Sequence, residues 1–345
     1  MTSRRLAPLA AVAASLAALL TATGAVAAPV RADRAAAPAA SGAAAPGLLV
    51  ALERQYVQVV KRVAPTVVQI ETDEGLGSGI VYDRKGHIVT NAHVVGTATS
   101  FKVTLSNGRQ VAGTLVGSFP ANDLAVISIP IRPAPATFAN SARLQVGQIA
   151  LAIGNPLGLS SSVTSGIVSA LGRTGQEGNG ISLPNLIQTS APINPGNSGG
   201  ALVDIRGRVI GIPTLGASNP AFGGAPASGI GFAIPSNDAT RIADQLIKFG
   251  KVVSSGRAYL GVRVATITTG GVIVTDLEVG GPAAKAGMQA NEVIASINGK
   301  PTPSVDDLSE VLAGLKPGRQ AKVALVDTNG AQRTVTVTLG QLPGS

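Results

Sequence analysis

Thr189-Ser190-Ala191-Pro192-Ile193-Asn194-Pro195-Gly196-Asn197-Ser198-Gly199-Gly200 stands near the middle of the chain and places a serine in a turn too rich in glycine to be ordinary core. A serine hydroxyl attacks a carbonyl only when a base takes its proton and nearby backbone N–H groups receive the charge that develops on the carbonyl oxygen. Glycines let such N–H groups converge, so the segment points to Ser198 as a nucleophile. A lone Gly-Asn-Ser-Gly is more often a surface turn; the rest of the chain decides.

The sequence holds only two histidines, His87 and His93, and a Ser-His-Asp mechanism needs one of them as proton shuttle. His93 lies in Ile88-Val89-Thr90-Asn91-Ala92-His93-Val94-Val95, where an apolar strand meets a short polar break, so its ring is expected at a strand end facing a cleft. His87 follows the turn Lys85-Gly86 and reads as a surface or core residue. Asn122-Asp123-Leu124-Ala125-Val126-Ile127 supplies an acid directly before a buried strand, where a carboxylate can be held out of solvent against an imidazole N–H.

His93, Asp123 and Ser198 occur in the chain order of the chymotrypsin-like proteases, and their surroundings resemble the HtrA/Deg branch of that family. Family chains carry Thr-Asn-x-His-Val-Val, Asn-Asp-Leu-Ala-Val and Asn-x-Gly-Asn-Ser-Gly-Gly segments, which stand here at Thr90–Val95, Asn122–Val126 and Asn194–Gly200. The similarity runs from about Val59 to Leu342 and includes Gly231-Phe232-Ala233-Ile234-Pro235. The chain departs from the family at Ser190, where aspartate is expected, and at Ala201, where proline is frequent. The resemblance implies a mainly β fold: a chymotrypsin-like double β-barrel followed by a small α+β PDZ domain. It also implies His93 as base, Asp123 as its orienting acid, and the N–H groups of Gly196 and Ser198 as oxyanion hole. Pro192 and Ile193 fall at the base of the specificity pocket and Thr214-Leu215-Gly216 along its wall, so a small aliphatic P1 residue is expected.

Composition bounds the alternatives. Of 345 residues 45% are apolar, ample for real cores, but only 3% are aromatic, so the cores must be built from Val, Ile, Leu and Ala. The net charge of +9 comes from scattered basic residues, adjacent only in pairs such as Arg4-Arg5 and Lys61-Arg62 and without aromatic interleaving, which disfavours nucleic acid. The absence of cysteine removes thiol catalysis, disulfides and thiolate metal sites. His87 and His93 lack metal-motif context, so neither metal nor organic cofactor is expected.

The first residues read as export machinery. Arg4-Arg5 precede an Ala/Leu-rich run from Leu6 to Leu20, and Ala25 and Ala27 suit a signal peptidase, so residues 1–27 are expected to be a signal peptide. An uncleaved membrane anchor is the competing reading. Residues 28–47 are an Ala/Pro-rich tether without the large apolar residues needed to fold alone, and 48–63 show the spacing of an amphipathic helix.

From Thr66 short apolar runs alternate with Asn/Gly turns, giving one barrel; a second strand-rich block runs from Ile149 to Ile234 and a helix from Asp238 to Phe249, so 64–250 read as the protease domain with its site in the crevice between barrels. Gly75-Leu76-Gly77-Ser78-Gly79 has the look of a dinucleotide loop but leads into a strand rather than a helix, so the Rossmann reading fails. Residues 257–342 look like a PDZ domain of the permuted bacterial kind, with Tyr259-Leu260-Gly261-Val262 as the loop that binds a peptide carboxylate and the strand from Val262 accepting the peptide.

The expected protein is thus an exported serine endopeptidase cleaving unfolded proteins, its PDZ domain binding C-terminal peptides. The resemblance implies a homotrimer built through the N-terminal segment, while Glu71 to Gly77 is too short for a loop-mediated hexamer. The rivals are an envelope chaperone or PDZ scaffold with an idle protease fold, and a digestive trypsin-like hydrolase, which the PDZ unit and uncharged pocket disfavour.

Overall fold

The computed structural model describes residues 45–73, 75–155, 162–176, 182–194, 196–219, 225–267 and 270–343, with the side chains of 45, 46, 176, 182, 215–219 and 225–228 left out. The signal segment and nearly all of the tether lie outside the described residues. The chain divides into Met1–Pro46 and Gly47–Ser345, and apart from the start of its first helix every element below belongs to the second unit.

Helix α1 (Ala45–Val63) begins three residues before the expected 48, inside the segment read as tether. Pro46 allows this, because a proline in the first turn gives up an N–H that would have no helical partner. Val59 and Val63 are buried, whereas Leu48 and Leu49 are 74% and 65% exposed. The helix is tied to the protein by Gln55 Nε2 donating to the Ile205 carbonyl at 2.8 Å and Arg62 Nη1 donating to the Arg206 carbonyl at 3.0 Å.

The first barrel consists of β1 (Val67–Thr72), β2 (Gly75–Val81), β3 (His87–Thr90), β4 (Ser100–Thr104), β5 (Gln110–Phe119) and β6 (Leu124–Ser128), closed in the order β1-β2-β3-β6-β5-β4. Between β3 and β4 lies the short helix α2 (Ala92–Val95). The segment expected to join β1 and β2 through a loop from Glu71 to Gly77 is mostly strand: the pairing continues to Thr72 opposite Gly75. The second barrel repeats the closure with β7 (Ile149–Gly154), β8 (Ser162–Gln176), β9 (Ser182–Thr189), β10 (Ala201–Asp204), β11 (Val209–Asn219) and β12 (Ala225–Pro235), in the order β10-β11-β12-β9-β8-β7.

Alternation along these strands explains their near-continuous apolar runs. In the first barrel Val68, Ile70, Val81, Ile88 and Ile127 share one cluster, while their strand neighbours Val67, Ile80, Val89 and Val126 join a second. In the other barrel Ala150, Ala152, Leu202 and Ile210 group together, and the alternate positions Leu151, Ile153, Val203 and Val209 enter that same second cluster. Strands buried on both faces carry apolar residues at every position, and the shared cluster is the seam that joins the barrels. Helix α3 (Ser236–Phe249) closes the seam with Ala239, Ile242, Ala243 and Leu246, spaced i, i+3, i+4, i+7. It stops at Gly250, whose φ of 70° no branched residue adopts cheaply.

The last unit has its own core around Leu260, Val274, Ile294, Val323 and Val337. It comprises β13 (Ala258–Tyr259), β14 (Val262–Thr266), β15 (Val272–Leu277), α4 (Pro282–Lys285), β16 (Val293–Ile297), β17 (Lys300–Pro301), α5 (Val305–Ala313), β18 (Gln320–Val326), β19 (Gln332–Thr338) and β20 (Gly340–Gln341). Strand β14 is the edge of the sheet β14-β15-β16-β18-β19. Ser304 caps α5 by accepting from the Asp307 N–H at 3.2 Å.

Arg257, at the entry to this unit, reaches back to the first barrel. Its Nη1 donates to the Ala121 carbonyl, in the short helical turn Pro120–Asn122. Burial pulls its guanidinium pKa down from the ordinary value, and a buried charge depends on such partners. Arg257→Ala is therefore expected to lower the unfolding free energy by about 1–3 kcal/mol, read from urea denaturation; an unchanged midpoint and slope would show the contact to be idle.

Candidate active site

His93 does not stand on a strand end as expected. The apolar run breaks at Asn91, and Ala92 to Val95 wind into α2, leaving the His93 side chain 31% exposed. The four-residue helix aims two groups of one residue at one partner: His93 N donates to Asp123 Oδ1 at 3.0 Å, and Nδ1 lies 3.0 Å from both carboxylate oxygens. An Nδ1 held against a carboxylate carries the proton and leaves Nε2 as the basic nitrogen.

Asp123 follows the turn Pro120–Asn122 in the left-handed conformation, φ 49° and ψ 46°, uncommon for any residue but glycine. Its N–H donates to the Pro120 carbonyl at 2.8 Å and its own carbonyl accepts from Asn91 Nδ2 at 3.0 Å. Its side chain is fully buried. A further donor comes from the other barrel, the Thr214 hydroxyl on β11, bonded to Asp123 Oδ2. Thr214, expected in the pocket wall, thus spends its side chain on Asp123. The expected wall residues Leu215 and Gly216 continue β11 opposite Phe232 and Gly231, and the side chain of Leu215 falls outside the described ones.

The Thr214 carbonyl accepts from Ser198 Oγ at 3.2 Å, so one residue touches both Asp123 and Ser198. Backbone bonds fix the loop that carries Ser198. Asn197 N donates to the Asn194 carbonyl at 3.0 Å, Gly199 N to the Pro213 carbonyl at 3.0 Å, and Gly200 N to the Asn197 carbonyl at 2.9 Å. Within the chain, among the described residues, the Gly196 and Ser198 N–H groups have no partner. Those are the two amides expected to receive an oxyanion. Glycine is required at 199, where φ is 78° and a Cβ would lie 2.2 Å from the Ser78 carbonyl oxygen.

Ile193 rests over β12: a Cβ at Gly231 would lie 2.4 Å from Ile193 Cγ1. Ser190 accepts from the Ile167 N–H at 3.0 Å and ties the loop to β8. His87 is remote from this arrangement and pairs through Nδ1 with Asp83 Oδ2 at 2.7 Å. On the last unit, the Leu260 carbonyl accepts from Ala283 N and the Gly261 carbonyl from Glu278 N, while the Leu260 and Gly261 N–H groups have no partner among the described residues. Burial, and beside it the Glu278 carboxylate that accepts its hydroxyl, push the Tyr259 phenol above its ordinary pKa, which keeps it a donor; Val262 opens the edge strand β14.

Residues 77–212 match the trypsin-like peptidase domain family and 258–339 the PDZ domain family, which defines the class as a trypsin-like peptidase fold joined to a PDZ domain. Serine protease PepD of Mycobacterium tuberculosis is 41% identical over 308 residues, 82% of this chain and 66% of that protein. Serine endoprotease DegS of Escherichia coli K12 is 37% identical over 315 residues, 84% of this chain and 87% of that protein. The solved structure of the HtrA-type protease AlgW with decapeptide superposes with a TM-score of 0.60 at 32% identity, over 84% of this chain and 99% of that one. The chain belongs to the HtrA/Deg family of serine proteases. It spans just under two thirds of the length of PepD, at 66%, and 59% of the periplasmic DegQ of Escherichia coli.

Thr214→Val removes one hydrogen bond to a buried carboxylate while keeping the strand residue β-branched. Losing a charge-assisted bond of about 1.5 kcal/mol corresponds to about tenfold, so kcat/KM on a peptide ester is expected to fall about that much, with a lowered melting temperature but a cooperative unfolding transition; full activity would remove Thr214 from the site.

Proposed function

We propose that this chain is an exported serine endopeptidase that cleaves unfolded proteins through an acyl-enzyme, with Ser198 as nucleophile, His93 as base and Asp123 as the acid that orients it. The observation that carries the reading is the coincidence, at one place, of a carboxylate-held imidazole, a serine, and the N–H groups of Gly196 and Ser198, which have no partner among the described residues. Nε2 of His93 takes the Ser198 proton as Oγ attacks the scissile carbonyl, the two amides receive the oxyanion, and the imidazolium returns the proton to the leaving amine. Asp123 holds the productive tautomer and offsets the imidazolium charge.

In the described arrangement Ser198 Oγ donates to the Thr214 carbonyl. That bond competes with one to the imidazole for the single hydroxyl proton. It also gives the rival reading, a chaperone or scaffold with an idle protease fold, its one structural support. Ile193 packed on Gly231 puts an apolar side chain at the expected base of the specificity pocket and favours a small aliphatic P1 residue. The Leu260 and Gly261 amides, with edge strand β14, suit a peptide's terminal carboxylate and its last residues as an added strand. Export agrees with the relatives whose names call them periplasmic, and membrane anchoring by the leading segment is the alternative to its removal.

Exposed Leu48, Leu49 and Leu52 on α1, with the apolar groove between Tyr56, Val57, Val60 and Val163, favour assembly through this helix, a homotrimer by family likeness.

Ser198→Ala is expected to lose roughly 10³-fold or more in casein turnover with an unchanged circular dichroism spectrum; equal cleavage by both proteins would refute the assignment. Light scattering on protein lacking residues 1–27 is expected to give a trimer, and deletion of 48–63 to dissolve it. A monomer in both cases would exclude assembly through α1.

A further inference from the structure

We propose that Ser78, the serine of the Gly75-Leu76-Gly77-Ser78-Gly79 segment, is a positioning residue that fixes the nucleophile loop from the opposite barrel. The proposal rests on the reading of Ser198 as nucleophile. Ser78 sits in the middle of β2 on the first barrel and is completely buried. A serine at such a site is unusual, because a buried hydroxyl costs free energy unless both its donor and acceptor capacities are used.

Here both are used, and both by the second barrel. Ser78 Oγ donates to the Gly196 carbonyl at 2.5 Å and accepts from the Asn155 N–H at 2.8 Å. The backbone of the same residue repeats the clasp: Ser78 N donates to the Ser198 carbonyl at 2.9 Å. Its own carbonyl accepts from Thr90 Oγ1 at 2.7 Å, three residues before His93. One residue thereby connects the carbonyl of Gly196, the carbonyl of Ser198, the end of β7 and the strand leading to His93.

The geometry gives the hydroxyl a task that packing alone does not. The two amides proposed to receive the oxyanion belong to Gly196 and Ser198, and the carbonyls of those same two residues are the ones Ser78 holds. Gly196 has φ 95° and Gly199 φ 78°, so side-chain sterics do not hold the loop in this shape at those positions, and bonds to its backbone must do so. The carbonyls of Gly196 and Ser198 lie in the peptide planes that directly follow those two amides, across one Cα each, so a bond to each carbonyl limits how far the amide before it can turn before substrate arrives, which is preorganisation supplied by a residue that touches no substrate. The glycines beside Ser78 serve the approach. A Cβ at Gly77 would lie 2.5 Å from Val94 Cγ1, and one at Gly79 would lie 2.5 Å from Ile88 Cγ2.

The test compares wild type with Ser78→Ala, which removes the hydroxyl, and Ser78→Thr, which restores one, each checked for a cooperative melt. Amide hydrogen exchange across residues 194–200 reads loop order, and steady-state kinetics on a peptide ester read catalysis. The expected result is faster exchange in that segment alone, a fall in kcat of about tenfold or more with KM nearly unchanged, and recovery of both in Ser78→Thr. Unchanged exchange or unchanged kcat in Ser78→Ala overturns the proposal, as does a loss carried by KM. If wild type cleaves nothing, the protease reading fails on its own account, and the exchange measurement still decides whether Ser78 orders the loop.

Discussion

A fully buried carboxylate has to be given donors, and the whole molecule is arranged around giving them to Asp123. None comes from the strand that follows it. His93 supplies a backbone and a ring N–H from α2, and Thr214 supplies a hydroxyl from the other barrel. The carboxylate is therefore satisfied only when the two barrels are closed on each other. That closure is driven by the apolar seam of Val67, Ile80, Val89, Leu151, Ile153 and Val203, with α3 laid over it. Hydrophobic burial provides the bulk of the driving force, and Asp123 contributes to the register, since a displaced barrel would take the Thr214 donor away from a buried carboxylate.

The same closure settles the nucleophile loop. Bonds from β2, from β11 and within the loop hold its carbonyls and amides, while among the described residues the amides of Gly196 and Ser198 have no partner. A loop so fully bonded leaves no space at Gly199, where any side chain would strike the Ser78 carbonyl. Its glycine content follows from close backbone approach between barrels as much as from positive φ.

How much of this was legible in the sequence follows from what leaves a local pattern. Two histidines in the whole chain made His93 easy to isolate, and the double burial of the strands made the two barrels visible as apolar runs between turns. The helix bearing His93 was not legible, because Val94 and Val95 are β-branched and four residues are too few for a helical period to show. The start of α1 was hidden by Pro46, which reads as a breaker and acts as a first-turn residue. The contacts of Ser78 and Asn91, and the bond from Thr214, read as a pocket wall, to Asp123, escaped for a different reason. All three are common polar residues, and their partners lie 118, 32 and 91 positions away, distances at which no periodicity connects them.

The glycine-rich segment at 75–79 illustrates the limit well. Tested against a nucleotide-binding pattern it failed, since a strand follows, and composition offered no second use for it. Its meaning lies in what faces it after closure, the carbonyls of Gly196 and Ser198. A similar economy operates on the far side of Asp123. The turn Pro120–Asn122 that holds Asp123 in its left-handed conformation is also the turn Arg257 grips, three residues before Leu260. The start of the last unit and the turn that leads into Asp123 are thus joined through one guanidinium.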